Sequence, residues 1–548
     1  MKKYIFLFLT MVFAFQLKAQ ISTDLYWVQF TDKNNSPYSI DAPEAYLGPR
    51  ALDRRARLGI AIDEYDLPVN PQYLQAVADC GAELVNPSKW LNGVTIHTTS
   101  SEVIAAINAL EFVQTVRDCP HNSEAHRIKE NWMQAELKDS GYTPFAKGFY
   151  GGAEAQITQL NADKLHEMGF DGTGMIIAVL DGGFEGTPDQ SCFDNMRQEG
   201  RLLGTKEFVY GVNDVYTQST HGTSCLSTIG AYDPNTMVGT APKASFWLIH
   251  TEDGRSESIA EEYNWVSGAE FADSLGVDVC TTSLGYIDFD MTNWSHPFEH
   301  FDGQTAPMTI GAEIAASRGM VCLNAAGNEG DGTCTLGIPA DAEHILTIGA
   351  VNDAGERAYF SSVGPTFDGR IKPDVMAMGE NTYVASGYGS WYPYYNGSGT
   401  SFATPVMAGA VACLRQAYPN VPVQEFCEVV RQCGNRAANP DSYYGYGIPD
   451  FMAAFDVLHV DDTFTAQNNI LSVFPNPSKG EVHIRLNEVS IAELSVYDVM
   501  GHLLKTYHFN GLNHTTFERY LNDLSNGVYF IKADAEQGSQ TVKLIVTR

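Results

Sequence analysis

Two uninterrupted apolar runs, residues 175–180 and 320–323, each stop at a polar residue followed by small ones. The first ends in Asp181-Gly182-Gly183 and the second in Asn324-Ala325-Ala326-Gly327-Asn328. A strand that is apolar at every position is buried on both faces, which calls for a parallel sheet with helices on either side. The expected fold class is therefore α/β. In such sheets the chemistry collects at the carboxyl ends of the strands, so Asp181 and Asn328 are expected on one functional edge.

Two further stretches have the composition of short-residue helix starts. Residues 399–409 run Gly-Thr-Ser-Phe-Ala-Thr-Pro-Val-Met-Ala-Gly, with Ser401 at the opening of a helix expected to reach Ala417. Pro405 is expected in its first turn, where a missing N–H costs little. Ser401 would then sit at the positive end of the helix dipole. His221-Gly222-Thr223-Ser224 opens a second small-residue helix, expected to run to about Gly230. A serine hydroxyl is a poor nucleophile until a base takes its proton, and Asp181, His221 and Ser401 supply an acid, a base and a nucleophile. Singly each has a plainer use, Asp181 as a turn residue and Ser401 as a helix cap.

Together, in the order Asp, His, Ser, and with Asn328 after a buried strand, these segments resemble the subtilisin-like serine peptidases, or subtilases. The resemblance spans residues 163–455 and takes in Thr282-Ser283-Leu284-Gly285, Phe360-Ser361-Ser362-Val363-Gly364-Pro365 and Tyr444-Gly445-Tyr446-Gly447. It implies a parallel sheet with helices on both faces and peptide-bond hydrolysis by Asp181, His221 and Ser401, with Asn328 donating to the oxyanion. By the same resemblance Ser283, Leu284 and Gly285 pair with the substrate backbone, and Ala325, Ala326 and Gly327 line a wall of the first specificity pocket. The chain departs from the family pattern at Gly182, where a Ser or Thr is usual. Many subtilases bind calcium, so a structural calcium is compatible with the resemblance. Residues 189–194 are an acidic loop, but no ligand loop with hard-cation spacing is visible, and a solvated loop is the simpler reading. No cofactor is needed for the chemistry and no metal ligand is assigned. A lipase or esterase is disfavoured because Ala403 stands where the second Gly of a Gly-x-Ser-x-Gly elbow belongs. A catalytically inactive surface-binding protein on the same scaffold is the alternative function.

The chain has 548 residues, too many for one domain, and a formal net charge of -32 from 34 basic and 66 acidic residues. That balance speaks against nucleic acid or an anionic membrane as partner. Met1-Lys2-Lys3 followed by apolar residues 4–15 reads as a signal peptide, residues 1–19, with an uncleaved anchor as the alternative. No transmembrane helix is expected after its removal. The ten cysteines would permit disulfides after export, one or two at most, with Cys427 and Cys433 close enough in sequence to pair. Cys280 and Cys322 read instead as free thiols in core strands.

Residues 20–119 alternate strand and helix patterns, with strands at 26–30 and 94–98 and helices at 71–82 and 102–110. This small α+β unit resembles a subtilase propeptide; a permanent accessory domain is the other reading. Residues 120–152 read as a processing linker, 153–459 as the peptidase domain and 460–469 as a second linker. From residue 470 to 548 short strands alternate with Gly and Asn turns, as in a small β-sandwich. Pro475-Asn476-Pro477, the run 496–501, Gly527-Val528-Tyr529 and Lys543 resemble the type A sorting domain of the type IX secretion system. That resemblance implies the secretion machinery as a partner, besides protein or peptide substrates. It also implies a location outside the cell or on the outer-membrane surface of a Gram-negative bacterium. A carbohydrate- or protein-binding module would share the same fold.

Overall fold

In the computed structural model the chain is described over residues 21–22, 24–122, 148–388, 393–462, 471–474, 478, 481–486, 491–508, 515–520, 524–535 and 538–547. The expected signal segment and the Pro475-Asn476-Pro477 entry lie outside these residues, as does most of both linkers.

The centre of the molecule is a seven-stranded sheet in which every neighbouring pair is parallel. Its spatial order is Val375–Met378, Leu346–Val351, Val321–Ala325, Val279–Thr282, Ile176–Asp181, Ser245–His250 and Leu202–Glu207. The first strand of this sheet in chain order, Ile176–Asp181, is therefore interior, and the path runs to one edge, returns beside it, and then builds out on its other side. Strand order thus reverses around Ile176–Asp181, which puts Asp181 at the switch point where α/β sheets open a crevice. Alternation of side chains divides the core in two. Ile177, Val179, Phe246 and Leu248 face the helices His221–Gly230 and Thr400–Ala417. Ala178, Leu180 and Ile249 face Ala260–Leu275 and Pro307–Ser317.

Helix Thr400–Ala417 is buried from Thr400 through Arg415. Its small residues let it lie close to the sheet and to the helix His221–Gly230; a Cβ on Gly409 would fall 1.9 Å from Thr240 Oγ1. Pro405 is the sixth residue of this helix, a turn deeper than the sequence suggests. Its missing N–H leaves the carbonyl of Ser401 without the usual partner four residues on. That oxygen is taken up from outside the helix, by Ser283 Oγ at 2.7 Å and Cys225 Sγ at 3.3 Å.

The N-terminal unit is a four-stranded antiparallel sheet ordered Glu83–Ser88, Gly93–His97, Leu25–Phe30 and Val113–Asp118. Helices Pro71–Asp79 and Ser101–Asn108 cover one face, enclosing Val28, Phe30, Val77, Ile96 and Ile107. The first of these ends three residues earlier than its pattern suggests, ahead of Gly81 at φ 100°. Strand Val113–Asp118 escaped the sequence reading, and so did two further elements. One is strand Glu83–Ser88, and the other is helix Pro49–Leu58, which carries Arg54 and Arg55 into the interface with the central domain. Part of the expected processing linker is also ordered: His121–Asn122 pairs with Ile21–Ser22, and Gly151 bridges to Met237. At the far end helix Phe451–Asp462 runs into the second expected linker.

The C-terminal unit contains two antiparallel sheets, Leu471–Phe474 with Glu481–Leu486 and Thr515–Tyr520, and Leu503–His508 with Ile491–Asp498, Gly527–Ala535 and Gly538–Val546. It rests on helix Val423–Gln432, where Lys543 pairs with Glu425. All ten cysteines are free, which corrects the expected one or two bridges. Cys427 lies within helix Val423–Gln432 and Cys433 caps its end, so six residues of helix separate them by about 9 Å on different faces. Cys280 and Cys322 are register partners on adjacent buried strands and remain thiols.

The N-terminal unit is docked on helix Ala260–Leu275 by polar groups. Glu270 accepts from the backbone N–H groups of Lys89 at 2.8 Å and Trp90 at 3.0 Å. Asp273 is shared by Arg54 and Arg55, and Arg55 also reaches Asp66 at 2.8 Å. Burial works to raise the Asp273 carboxyl, but Lys89, Arg54 and Arg55 outweigh it and hold it below the usual range. Its contribution is therefore complete above the unfolded value of about 4 and is lost only as pH falls through the lower folded value. Asp273→Asn would leave Arg54, 1% exposed, without its counter-charge. The expected loss is about 3–5 kcal/mol in the denaturant stability of the uncleaved chain. An unchanged midpoint would show that the cluster does not hold the two units together.

Candidate active site

Each candidate side chain is placed by a strand end or a helix start. Asp181 closes its strand, is fully buried, and accepts from Gly182 N at 2.8 Å through Oδ1. His221 begins its helix, its N–H donating to Ser219 Oγ at 3.0 Å. The start of that helix presses against the loop after Asp181: Gly222 N donates to Gly183 O at 3.0 Å, and a Cβ on Gly222 would stand 2.5 Å from that same oxygen. Gly183 itself is at φ 133°, with Thr217 O 2.3 Å from where a side chain would begin. The two glycines thus permit the approach that brings His221 Nδ1 to 2.8 Å from Asp181 Oδ1.

Burial works against a charged imidazole at His221, yet the adjoining Asp181 carboxylate prevails and holds its pKa well above the ordinary value of 6.5. Cys225 lies one turn along the same helix, its Sγ 3.8–3.9 Å from the ring nitrogens, and burial pushes its thiol up. The sequence reading did not single out Cys225, although the i, i+4 spacing from His221 puts it on the same helix face. Through its contact with the Ser401 carbonyl it also ties the histidine helix to the serine helix.

Ser401 is 2% exposed, and its Oγ donates to Ser283 O at 3.2 Å. No hydrogen bond joins it to His221 in this structure; bonds of this kind commonly tighten only when substrate is present. The neighbouring Phe402 ring lies 5.9 Å from the His221 ring. Asn328 is fixed by Thr400, whose N–H and hydroxyl reach Asn328 Oδ1 at 2.9 and 3.0 Å. With its oxygen engaged, the amide presents Nδ2 toward the Gly399–Ser401 turn. Thr400 also accepts from Gly327 N at 3.2 Å, which anchors the segment Ala325-Ala326-Gly327 beside the serine helix. Ser283 is joined to Ser401 in both directions, and Asn324 Nδ2 holds the carbonyl of Leu284 at 3.1 Å, next to Gly285. All ten candidate residues thus converge on one sheet edge. The acidic loop 189–194 instead folds into short helical turns, with Asp194 paired to Arg197.

A family model described as the subtilase family matches residues 172–447. The chain belongs to the subtilase family. Among its relatives, Subtilisin NAT of Bacillus subtilis subsp. natto is 32% identical over 306 residues, covering 54% of this chain and 70% of the relative. Subtilisin of Bacillus pumilus is 32% identical over 309 residues, covering 54% and 97%. Serine protease AprX of Bacillus subtilis (strain 168) is 30% identical over 305 residues, covering 50% and 65%. This subtilase is a subtilisin-like serine protease. Residues 25–134 match a peptidase S8 propeptide domain of Bacteroidota, and residues 472–547 match a secretion system C-terminal sorting domain. The sorting domain marks a secreted or cell-surface protein. No helix among the described residues is long and apolar enough to cross a membrane.

The Asp181–His221 contact carries its own test. In the full-length Ser401→Ala chain, the His221 imidazole is expected to titrate above 6.5 by NMR, and Asp181→Asn to move that midpoint down. A midpoint at or below the ordinary value would contradict the pairing.

Proposed function

We propose that this subtilase is an endopeptidase in which Ser401 attacks the scissile carbonyl while His221 takes the hydroxyl proton and later returns it to the leaving amine. Asp181 keeps the imidazole with Nδ1–H toward the carboxylate and stabilises the imidazolium, without itself taking the proton. The observation that carries this reading is the 2.8 Å contact between His221 and Asp181 beside the start of the Ser401 helix. The raised pKa of His221 suits it, because activity then falls as pH drops through that value and is favoured in alkaline solution.

In this reading the Nδ2 of Asn328 and the backbone N–H of Ser401 receive the oxyanion. The hold of Thr400 on the amide oxygen supports the role, since it sets which end of Asn328 faces the reacting carbon. Ser283-Leu284-Gly285 is the edge along which substrate backbone pairs, and Ala325-Ala326-Gly327 is the wall of the first pocket. Backbone pairing accepts many sequences, so breadth of cleavage follows from it. Catalysis by this route uses no cofactor; a bound calcium, where present, serves stability. The N-terminal unit serves as a propeptide cut away by the enzyme itself within residues 120–152. The C-terminal unit is the type IX secretion address, delivering the protease to the outer-membrane surface or the medium.

Ser401→Ala is expected to abolish peptide hydrolysis and fluorophosphonate labelling, and to accumulate as the uncut chain. Near-normal turnover in that variant would remove Ser401 from the mechanism. Asn328→Ala is expected to lower kcat by about 10²–10³ with little change in KM, because the oxyanion exists chiefly in the transition state. A rise in KM alone would place Asn328 outside the oxyanion site.

Deleting residues 471–548 removes the partner of Glu425 on helix Val423–Gln432, which contributes no residue to the site. Peptidase activity should stay within about twofold, as expected for a change remote from the reacting groups. The shortened protein should collect in the periplasm of a host with this secretion system. Normal export of the truncated chain, read by fractionation, would exclude the sorting role.

A further inference from the structure

Three titratable side chains stand side by side at the carboxyl ends of three adjacent parallel strands. Glu207 and His250 are register partners, and so are His250 and Asp181. Register partners in a parallel sheet point to the same face, and the core confirms which face this is: Ile177 and Val179 lie with Phe246 and Leu248 under the histidine and serine helices. Thr251 takes the other side, its methyl group 2.9 Å from the position of a Cβ on Gly268 in the opposite helix layer.

His250 is fully buried, and its Nδ1 lies 2.7 Å from Glu207 Oε2. The carboxylate is an acceptor, so Nδ1 carries the proton and donates; in the neutral imidazole this leaves Nε2 with a lone pair. Asp181 uses Oδ1 for both His221 and Gly182 N. Two buried atoms are then without a protein partner, His250 Nε2 and Asp181 Oδ2. Both are acceptors, both belong to register neighbours, and Gly182 brings no hydroxyl to the carboxylate. A buried water with two O–H groups satisfies this combination, one bond to each.

We propose that His250 is a positioning residue of the protease: anchored by Glu207, it holds a water that donates to Asp181 Oδ2 and fixes the carboxylate against His221. The charged groups around it are Glu207, which lies in the field of Arg255, Asp181, and Glu252, whose Oε2 is 3.6 Å from where a side chain on Gly182 would begin. The inference rests on the assignment of Asp181, His221 and Ser401 to the reaction. It adds a fourth residue that touches neither substrate nor nucleophile.

Two substitutions separate this role from a structural one. In His250→Gln the amide occupies the place of Nε2 and keeps the link toward Asp181, while losing Glu207. His250→Asn puts its amide at the place of Nδ1, keeping Glu207 and losing the link. With rates normalised to fluorophosphonate-titrated sites, His250→Asn should lose about tenfold in kcat at unchanged KM, the size of one lost buried hydrogen bond. The acid limb of its pH profile should move up by about half a unit, because a carboxylate short of a donor holds the His221 imidazolium more tightly. His250→Gln should stay within about threefold of the parent. The reverse order of the two variants, or equal losses in both, overturns the proposal.

A readout on the parent sequence guards against a variant that fails to mature. In the full-length Ser401→Ala chain, nitrogen NMR should find His250 as the Nδ1–H tautomer, with an Nε2 resonance that moves when Asp181 is changed to Asn. An Nε2–H tautomer or an unmoved resonance overturns the link. Turnover surviving in Ser401→Ala would instead defeat the assignment beneath it. Loss of turnover there, with parental kinetics in both His250 variants, defeats this inference alone.

Discussion

The carbonyl oxygen of Ser401 is where the central domain is tied together. An α-helix ordinarily uses that oxygen internally, and Pro405 prevents it. A buried acceptor left open would cost about 1–3 kcal/mol, so its surroundings must supply donors. Ser283, from the end of strand Val279–Thr282, and Cys225, from the histidine helix, do so. One backbone atom thereby fixes the serine helix relative to the strand edge on one side and to His221 on the other. The position of Ser401 is set by a helix defect as much as by the helix itself.

Electrostatics around this point is local. The net charge of -32 is a property of the whole chain, whereas the charged groups that matter to the site are few and buried. The Asp181 carboxylate stands against His221, and that is why the imidazole holds its proton against burial. Burial alone would drive the proton off, and burial without Asp181 would give a base that is neutral but weak. The same low-dielectric setting strengthens the Asp181–His221 interaction and makes an unmet lone pair on the carboxylate expensive.

Much of this was legible in the residues. Apolar runs ending at Asp181 and at Asn324 declared buried parallel strands, and small residues after His221 and Ser401 declared closely packed helices. These patterns place the four site segments on one sheet edge. What escaped had specific causes. Helix Pro49–Leu58 carries four arginines and reads as a solvated segment, yet Arg54 and Arg55 are buried because their partners, Asp273 and Asp66, come from elsewhere in the chain. Strand Glu83–Ser88 contains Pro87, which lowers its strand signal and is tolerated because the strand lies at a sheet edge. Pro405 looked like a first-turn proline because its acceptor's alternative donors are 118 and 176 residues away. His250 was not singled out in the sequence; register shows it beside Asp181.

The docking of the N-terminal unit bears on the release proposed for it. A stable subunit interface buries a contiguous apolar patch, and separating it would expose that patch to water. Here the contact is mixed: Trp27 stacks on Tyr263 at 4.3 Å and joins Leu25 and Trp90 in an apolar cluster with helix Ala260–Leu275, while Glu270 and Asp273 of that helix supply the polar part. Two carboxylates that face arginines and backbone N–H groups in the joined state face water after separation, and solvation returns much of what pairing supplied. The buried cluster therefore gives one docking geometry while leaving part of the contact replaceable by water. If the connection through residues 120–152 is cut, as proposed above, the intramolecular contact becomes one governed by concentration.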